Sequence, residues 1–520
     1  MKKLLLILCA AFIFTACNSS EFSRNPAGLL TQTPLTYEMY DEYEGYYEEL
    51  TPLEQISIPA QTITDNTLRL SMRHPLTLNP LLNEDVTVAR ILRLIFEPLI
   101  VLDENFQPVS HLTDLEFASD FSSVILTIRS DAFWSDGTPV TADDIIFSVE
   151  TLRGAPENVI YKQNIENISE ITRVNSRVVQ IRFYQISPSA GAALGFPVIP
   201  QHHSIDNFNP IGNASFMLES HTPMRNIRLI PNPYSFRHRP QVQEVEVIFL
   251  PDTQTELYAF DQGRIDAIHM PLTDWARHQS VRHIRHEIFP AMYFEFIGFN
   301  FEREIFNDLQ IRQGITHAFN ACEAINAVYL DHAVRATSPI HPYSFAGGNG
   351  TWLPYDPVRA RALLGRVTSS EPLIIIANED NLQRVSIAER LARSLDAVGL
   401  PAYAKIVTFE EYIEMLENGD FDLFIGGVNL SLIPDIRFFF QGGFYLDDYA
   451  LEIAFTATRF ALTESAYLQT TAQFEGAFAS QLPVISLAFR HSAVLTNLRV
   501  MQNEVPALDN VFGWVNLWEK

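Results

Sequence analysis

One stretch near the C-terminal third limits what this chain can fold into. Leu373–Ile376 reads as a buried strand, and Asn381–Val398 follows at helical spacing. Ala402–Phe409 alternates like a second strand, and Glu410–Leu416 reads as a second helix. Phe421, Leu423, Phe424 and Ile425 then form a short apolar strand that ends in Gly426-Gly427 and an irregular, barely charged loop to Asp435. A β-α-β-α-β order implies parallel strands joined by crossover helices. Open α/β sheets bind ligands just beyond the carboxyl ends of their strands, which makes Gly426–Asp435 the first place to look for a site.

At 520 residues the chain exceeds what one core usually serves, so two or three lobes are expected. The formal charge of −26 argues against nucleic acid, whose phosphates need a basic face, and against electrostatic attachment to anionic lipid. The N-terminus supplies another route to a membrane. Lys2 and Lys3 precede an apolar run, Leu4 to Phe14, and then Thr15-Ala16-Cys17. That run is too short to span a bilayer and has the layout of a secretory signal. The small residue before Cys17 is similar to a bacterial lipoprotein cleavage site, so residues 1–17 are expected to be a lipoprotein signal with Cys17 lipidated. An ordinary signal peptide with an incidental cysteine is the other reading. Once Cys9 is removed, Cys17 and Cys322 remain, and a lipidated Cys17 leaves no intramolecular disulfide. The protein is then exported and tethered on the outer face of the bacterial cytoplasmic membrane or the periplasmic side. Residues 18–60 are polar and acidic, centred on residues 41–49 (DEYEGYYEE), and read as a flexible tether, with a docking segment as the alternative.

The folded body begins near Thr67 with Leu68–Leu70 as a first strand, and a helical stretch carries Val88, Ile91, Leu92 and Ile95. Further strands are expected at Val124–Ile128, Val178–Phe183, Val245–Leu250, Ile265–Ile268, Tyr293–Asn300 and Pro483–Phe489. Between the second and third, Asp136-Gly137 is a turn signal. Thr141 is a helix N-cap with Asp144 three residues on, and Ile145, Ile146, Val149 and Leu152 give the buried stripe. Turn and cap roles account for Asp131, Asp136, Asp143 and Asp144, so no metal site is expected from them. Thr253–Gln262 reads as a helix stopped at Gly263, and Asp308 to about Leu330 as one long helix. Asp356-Pro357 starts another with Pro at its first position. Nothing repeats along the chain, which argues against solenoids and propellers.

Taken in order, these segments resemble the bacterial extracellular solute-binding proteins of family 5, the oligopeptide- and dipeptide-binding receptors of ABC importers. The resemblance covers roughly Thr67 to Trp518. Its most specific part is Trp134–Asp144, WSDGTPVTADD, which is similar to the signature [FW]-x-DGTP-x-TA-x-D. Leu78-Asn79-Pro80, Gly212–Phe216, Asn232-Pro233-Tyr234, Gly263–Asp266, Tyr355-Asp356-Pro357 and Leu482–Ile485 support it in the same order. The resemblance implies two α/β lobes closing over a ligand cleft, in the periplasmic-binding-protein manner, with an extra inserted domain. It implies a first lobe at 61–288 holding an insert at about 99–190, a second lobe at 289–479, and a segment at 480–520 that returns to the first. It also implies a small-solute partner, an ABC permease, a monomer and no cofactor.

Carried over position by position, the resemblance implies ligand contact by Glu84, Asp85, Val86, Phe409, Gly427, Asn429 and Ser431. In peptide binders the loop after the last strand reads like G-W-x-A-D-Y, and its Asp pairs with the peptide's ammonium. Here Gly427–Leu432 fills that loop, with Val428 for the Trp and Ser431 for the Asp, and Asp435 stands four residues later. Leu416 stands where some peptide binders carry a cation. A buried ammonium without a nearby charge is costly. Either Glu84 holds a cationic group, or the ligand is more neutral or apolar than a free-amine peptide. An exported enzyme is the rival from another class, but no GxSxG elbow, HExxH helix or phosphate-binding glycine loop is present. His202-His203 reads as a surface turn, His332 and His341 as solvated loop residues, and Cys322 as a mid-helix packing residue. A receptor that reports to a membrane sensor is the third reading.

Overall fold

The computed structural model describes residues 66–203, 208–270, 283–367, 371–430, 449–500, 510–512 and 518. The proposed signal and tether, Ser431 and Asp435 lie outside these residues. No helix among the described residues is long and apolar enough to cross a membrane.

The chain opens with β1 (Thr67–Met72) and the short helix α1 (Val86–Leu92). Next come β2 (Ile100–Leu102) and β3 (Pro108–Ser110), then β4 (Thr113–Phe117) and β5 (Ser123–Ile128). Helix α2 (Ala142–Gly154) is followed by the hairpin β6 (Ile168–Asn175) and β7 (Val178–Phe183). Strands β4 to β7 form their own antiparallel sheet in the order β4-β5-β7-β6. A second sheet takes β8 (Phe216–Thr222), β9 (Asn226–Pro231) and β10 (Glu244–Phe249), with β10 pairing parallel to β1. One continuous apolar core, which includes Leu68, Leu70, Ile95, Trp134, Ile145 and Val247, lies behind both sheets.

The WSDGTP segment is legible atom by atom. Gly137 has φ +85°, and a Cβ there would meet the Tyr234 ring at 3.2 Å, so the turn needs glycine. Asp136 accepts from the Thr138 N–H at 2.9 Å, which closes the turn. Asp144 accepts from the Thr141 N–H at 2.8 Å and the Gln201 N–H at 2.8 Å, so the cap also pins the chain beyond the helix. Asp131 pairs with Arg129, and Asp143 lies 3.6 Å from Arg173.

Helix α3 (Thr253–Asp261) leads to β11 (Ala267–Met270), and β12 (Ile284–Phe299) follows. The long helix expected from Asp308 to Leu330 is two helices, α4 (Leu309–Ala318) and α5 (Ala321–Tyr329). Asn320 breaks it, because its side chain accepts from the Glu323 N–H and so caps a new start. Strand β13 (Ala333–Arg335) and helix α6 (Pro357–Leu364) come next. The β-α-β-α-β run then appears as β14 (Leu373–Asn378), α7 (Leu382–Ala397), β15 (Ala402–Val407), α8 (Phe409–Asn418) and β16 (Leu423–Asn429). Helices α9 (Tyr449–Thr458) and α10 (Glu464–Gln481) precede β17 (Val484–Asn497). The seven-stranded sheet runs β11-β17-β12-β16-β14-β15, with β13 on β17.

Strands β12 and β17 are much longer than their apolar runs suggested. They pair antiparallel from Ile284↔Asn497 to Gly298↔Val484. One end of this ribbon joins β11, and the other joins β16. Asp266, fully buried, ties it to the sheet of β1: its carboxylate accepts from the Arg69 N–H at 2.9 Å and from the Arg499 Nη2 at 3.1 Å.

Candidate functional site

Strand β14 pairs parallel with β15 on one side and with β16 on the other. The two connecting helices pack on opposite faces of the sheet. Ile387, Leu391 and Leu395 of α7 lie with Leu373, Ile375 and Ile425 on one face. Tyr412, Met415 and Leu416 of α8 lie with Ile376, Phe424 and Val428 on the other. The strand order therefore reverses at β14, and the carboxyl ends of β14 and β16 are the switch point where open α/β sheets bind ligands.

At that end Asn429 is exposed and pairs with Tyr293 of β12. Phe409 is half-buried in the first turn of α8. Asn378, the last residue of β14, is buried with its Oδ1 unpartnered. Gly427 is buried, and its missing side chain is the space that a charged cluster fills. A Cβ there would meet Arg384 Nη2 and Glu295 Oε2, each at 2.5 Å. Glu295 is 1% exposed and Arg384 2%. The Arg384 Nε donates to Glu295 Oε2 at 3.2 Å, and its Nη2 to the Tyr293 hydroxyl at 3.2 Å. Arg490 brings its Nε to 3.3 Å from Glu295 Oε1 and its guanidinium to 3.6 Å from the Tyr293 ring centroid. Tyr329 is buried beside them. Burial first, and then Glu295, push its hydroxyl pKa up, against the pull of the two arginines.

On α1, Asp85 is the N-cap, accepting from the Thr87 N–H at 2.7 Å and the Val88 N–H at 3.2 Å. Glu84 is exposed and Val86 half-buried. The carboxylate at Asp85 thus holds the helix start, while Glu84 is left to solvent.

The histidines and the cysteine fall as follows. His202 is exposed and pairs with Asp136 at 2.8 Å. His341 is buried, not solvated: it packs edge-on to Phe106, at 5.0 Å between centroids, and against Phe489 at 4.5 Å. Burial, then the neighbouring His491, pull its pKa down to about 3. Cys322 is exposed at the second position of α5, where the new helix start puts it, not mid-helix.

The residues that sequence reasoning passed over are Glu295, Arg384 and Arg490. A signal was present: a carboxylate inside Tyr-Phe-Glu-Phe-Ile and a guanidinium inside Ala-Phe-Arg-His are charges in core strands, which occur almost only in pairs. Their meeting is not local, since Glu295 and Arg384 stand 89 residues apart.

A family model described as bacterial extracellular solute-binding proteins, family 5 Middle, matches residues 108–449. A putative ABC transporter peptide-binding protein of Brucella ovis is 22% identical over 338 residues, covering 61% of this chain and 64% of that protein. The oligopeptide-binding protein AppA of Bacillus subtilis is 23% identical over 345 residues, covering 59% and 63%. The matched segment thus spans less than two thirds of these relatives. Among solved structures, NikZ from Campylobacter jejuni in complex with Ni(L-His) superposes with a TM-score of 0.68 at 21% identity, over 88% of this chain and 100% of that one. AppA from Bacillus subtilis in complex with a nonapeptide gives 0.63 at 18% identity, over 87% and 98%.

Proposed function

The chain belongs to the bacterial extracellular solute-binding proteins of family 5 and has their two-lobed α/β fold. From that premise we propose that it is the solute receptor of an ABC importer. It captures a small solute by closing its lobes and hands it to a membrane permease, with no chemistry on the ligand. The first lobe takes residues 61–288 with an insert at about 99–190, the second takes 289–479, and the segment from 480 leads back. The protein is exported, and a lipid on Cys17 holds it at the membrane through the acidic tether.

The observation that supports this reading is the strand-order reversal at β14, the place where open α/β sheets bind ligands, with Asn378 ending β14, Asn429 ending β16 and Phe409 opening α8. The proposed ligand contacts are this strand end and the Glu84–Val86 segment, with Ser431 carried over from the sequence. The nonapeptide of AppA and the Ni(L-His) of NikZ bracket the size of solute considered. A thermal-shift screen of residues 18–520 against peptides, amines, sugars and metal chelates tests the proposal. A ligand raises the melting temperature by mass action. Silence across the whole panel would sink it. If a hit keeps its affinity after Glu84→Gln and Asn429→Ala, the placement is wrong even though the receptor stands.

A further inference from the structure

Where β12 and β17 run between the lobes, their register jumps from Pro290↔His491 to Phe294↔Phe489. Ala291, Met292 and Tyr293 therefore stand opposite Arg490 alone, a bulge of the kind that re-aims a side chain. Arg490 is only 5% exposed, and its Nε is buried without a hydrogen-bond partner. Among the described residues its ion pair is to Glu295 Oε1, on a carboxylate whose other oxygen Arg384 holds. A guanidinium carries five N–H donors, and a buried Nε–H left without an acceptor is unfavourable, while the terminal nitrogens stay available to an added acceptor. From Arg490 onward β17 pairs regularly, so alternation sets Arg490 on the same face as Ser492 and Val494, the latter a part of the first-lobe core. Asn429, at the end of β16, is paired with Tyr293, whose ring lies under Arg490.

We propose that Arg490 is an anion-receiving residue of the ligand site. A carboxylate on the solute, either a peptide's C-terminus or that of another small acid, accepts from its terminal nitrogens. The Tyr293 ring and Glu295 hold the guanidinium plane in place, so the fork is set before the ligand arrives. This rests on the receptor reading and narrows it: the solute is recognised by its acid end, although the ammonium-pairing aspartate of peptide binders is replaced by Ser431.

The test uses the purified protein and three probes: trialanine, trialaninamide and succinate. The expected result is a melting-temperature rise with trialanine and succinate at millimolar concentration, and little with the amide. Arg490→Gln should weaken trialanine binding by about tenfold to a hundredfold in calorimetry and erase the preference for the acid. Arg490→Lys, which keeps the charge, should restore part of it, and so separates recognition from misfolding. Equal binding of trialanine and its amide, or an acid preference that survives Arg490→Gln, overturns the inference and leaves the receptor intact. A shift with trialaninamide alone does the same. No shift with any solute removes both.

Discussion

Two regions join the lobes of this molecule, and they are built from different materials. The hinge ribbon is backbone: β12 and β17 pair along their length, β11 extends them, and Asp266 bonds the ribbon to β1 through main-chain and side-chain groups alike. The other junction is a set of single contacts from the insert. The tip between β2 and β3 lays Phe106 against His341 and accepts the Phe345 N–H on the Asn105 carbonyl at 3.0 Å. Nearby, the Arg459 Nε donates to Gln185 Oε1 at 2.6 Å. A ladder of backbone bonds opens only with local unfolding, whereas a few side-chain contacts part at small expense. The ribbon is therefore the stiffer junction, and the clasp is the one that parts first if the proposed lobe motion takes place.

Breaking the hinge's charge centre should have the largest effect. Glu295→Gln leaves Arg384 and Arg490 buried without their carboxylate. Removing one partner of a buried pair commonly destabilises by about 3–5 kcal/mol. Chemical denaturation should show a midpoint shift of that size, and a shift below about 1 kcal/mol would mean that the arginines find other partners. Asp266→Asn comes next, at about 2–3 kcal/mol, because it weakens acceptors for Arg69 and Arg499 at once in a fully buried position.

The clasp should be sensitive to acid. Burial holds the His341 pKa at about 3 in the folded protein against the ordinary 6.5, so the unfolded chain takes up its proton first as pH falls. Its contribution is fully present above pH 6.5 and is lost progressively toward pH 3, amounting to about 2 kcal/mol by pH 5. His491, shifted down by burial and by His332, adds in the same direction. Melting curves from pH 7.5 to 5 should therefore fall more steeply for the natural protein than for His341→Phe. Parallel curves would show that His341 does not titrate as buried.

The second lobe was legible because parallel strands are buried on both faces and read as unbroken apolar runs, as at Leu373–Ala377. The WSDGTP turn and the caps at Thr141 and Asp356 were legible because each is a local bargain between a side chain and the next few N–H groups. The hinge was not. Residues Arg285, His286 and Glu287 of β12 have no apolar pattern, and they are strand only because β17 pairs with them across the chain. The helix break at Asn320 was hidden because apolar spacing continues through Phe319 and Ile325, while the cap is one side chain. The charged cluster beneath Gly427 was hidden for the reason the hinge was, since Glu295, Arg384 and Arg490 meet only once the sheet has formed.

The smallest stability effect should carry the clearest conformational one. Phe106→Ala combined with Arg459→Ala removes a half-buried ring and one side-chain bond, which together are worth about 1–2 kcal/mol. Because the hinge ribbon is untouched, unfolding should remain cooperative and move little. What should change is shape: small-angle scattering of the ligand-free double variant should give a larger radius of gyration than the natural protein, as the insert lets go of the second lobe. Asp266→Asn should do the reverse, lowering stability without widening the molecule. If the double variant scatters identically to the natural protein, the clasp does not set the closed state. The ribbon would then hold both the axis and the angle.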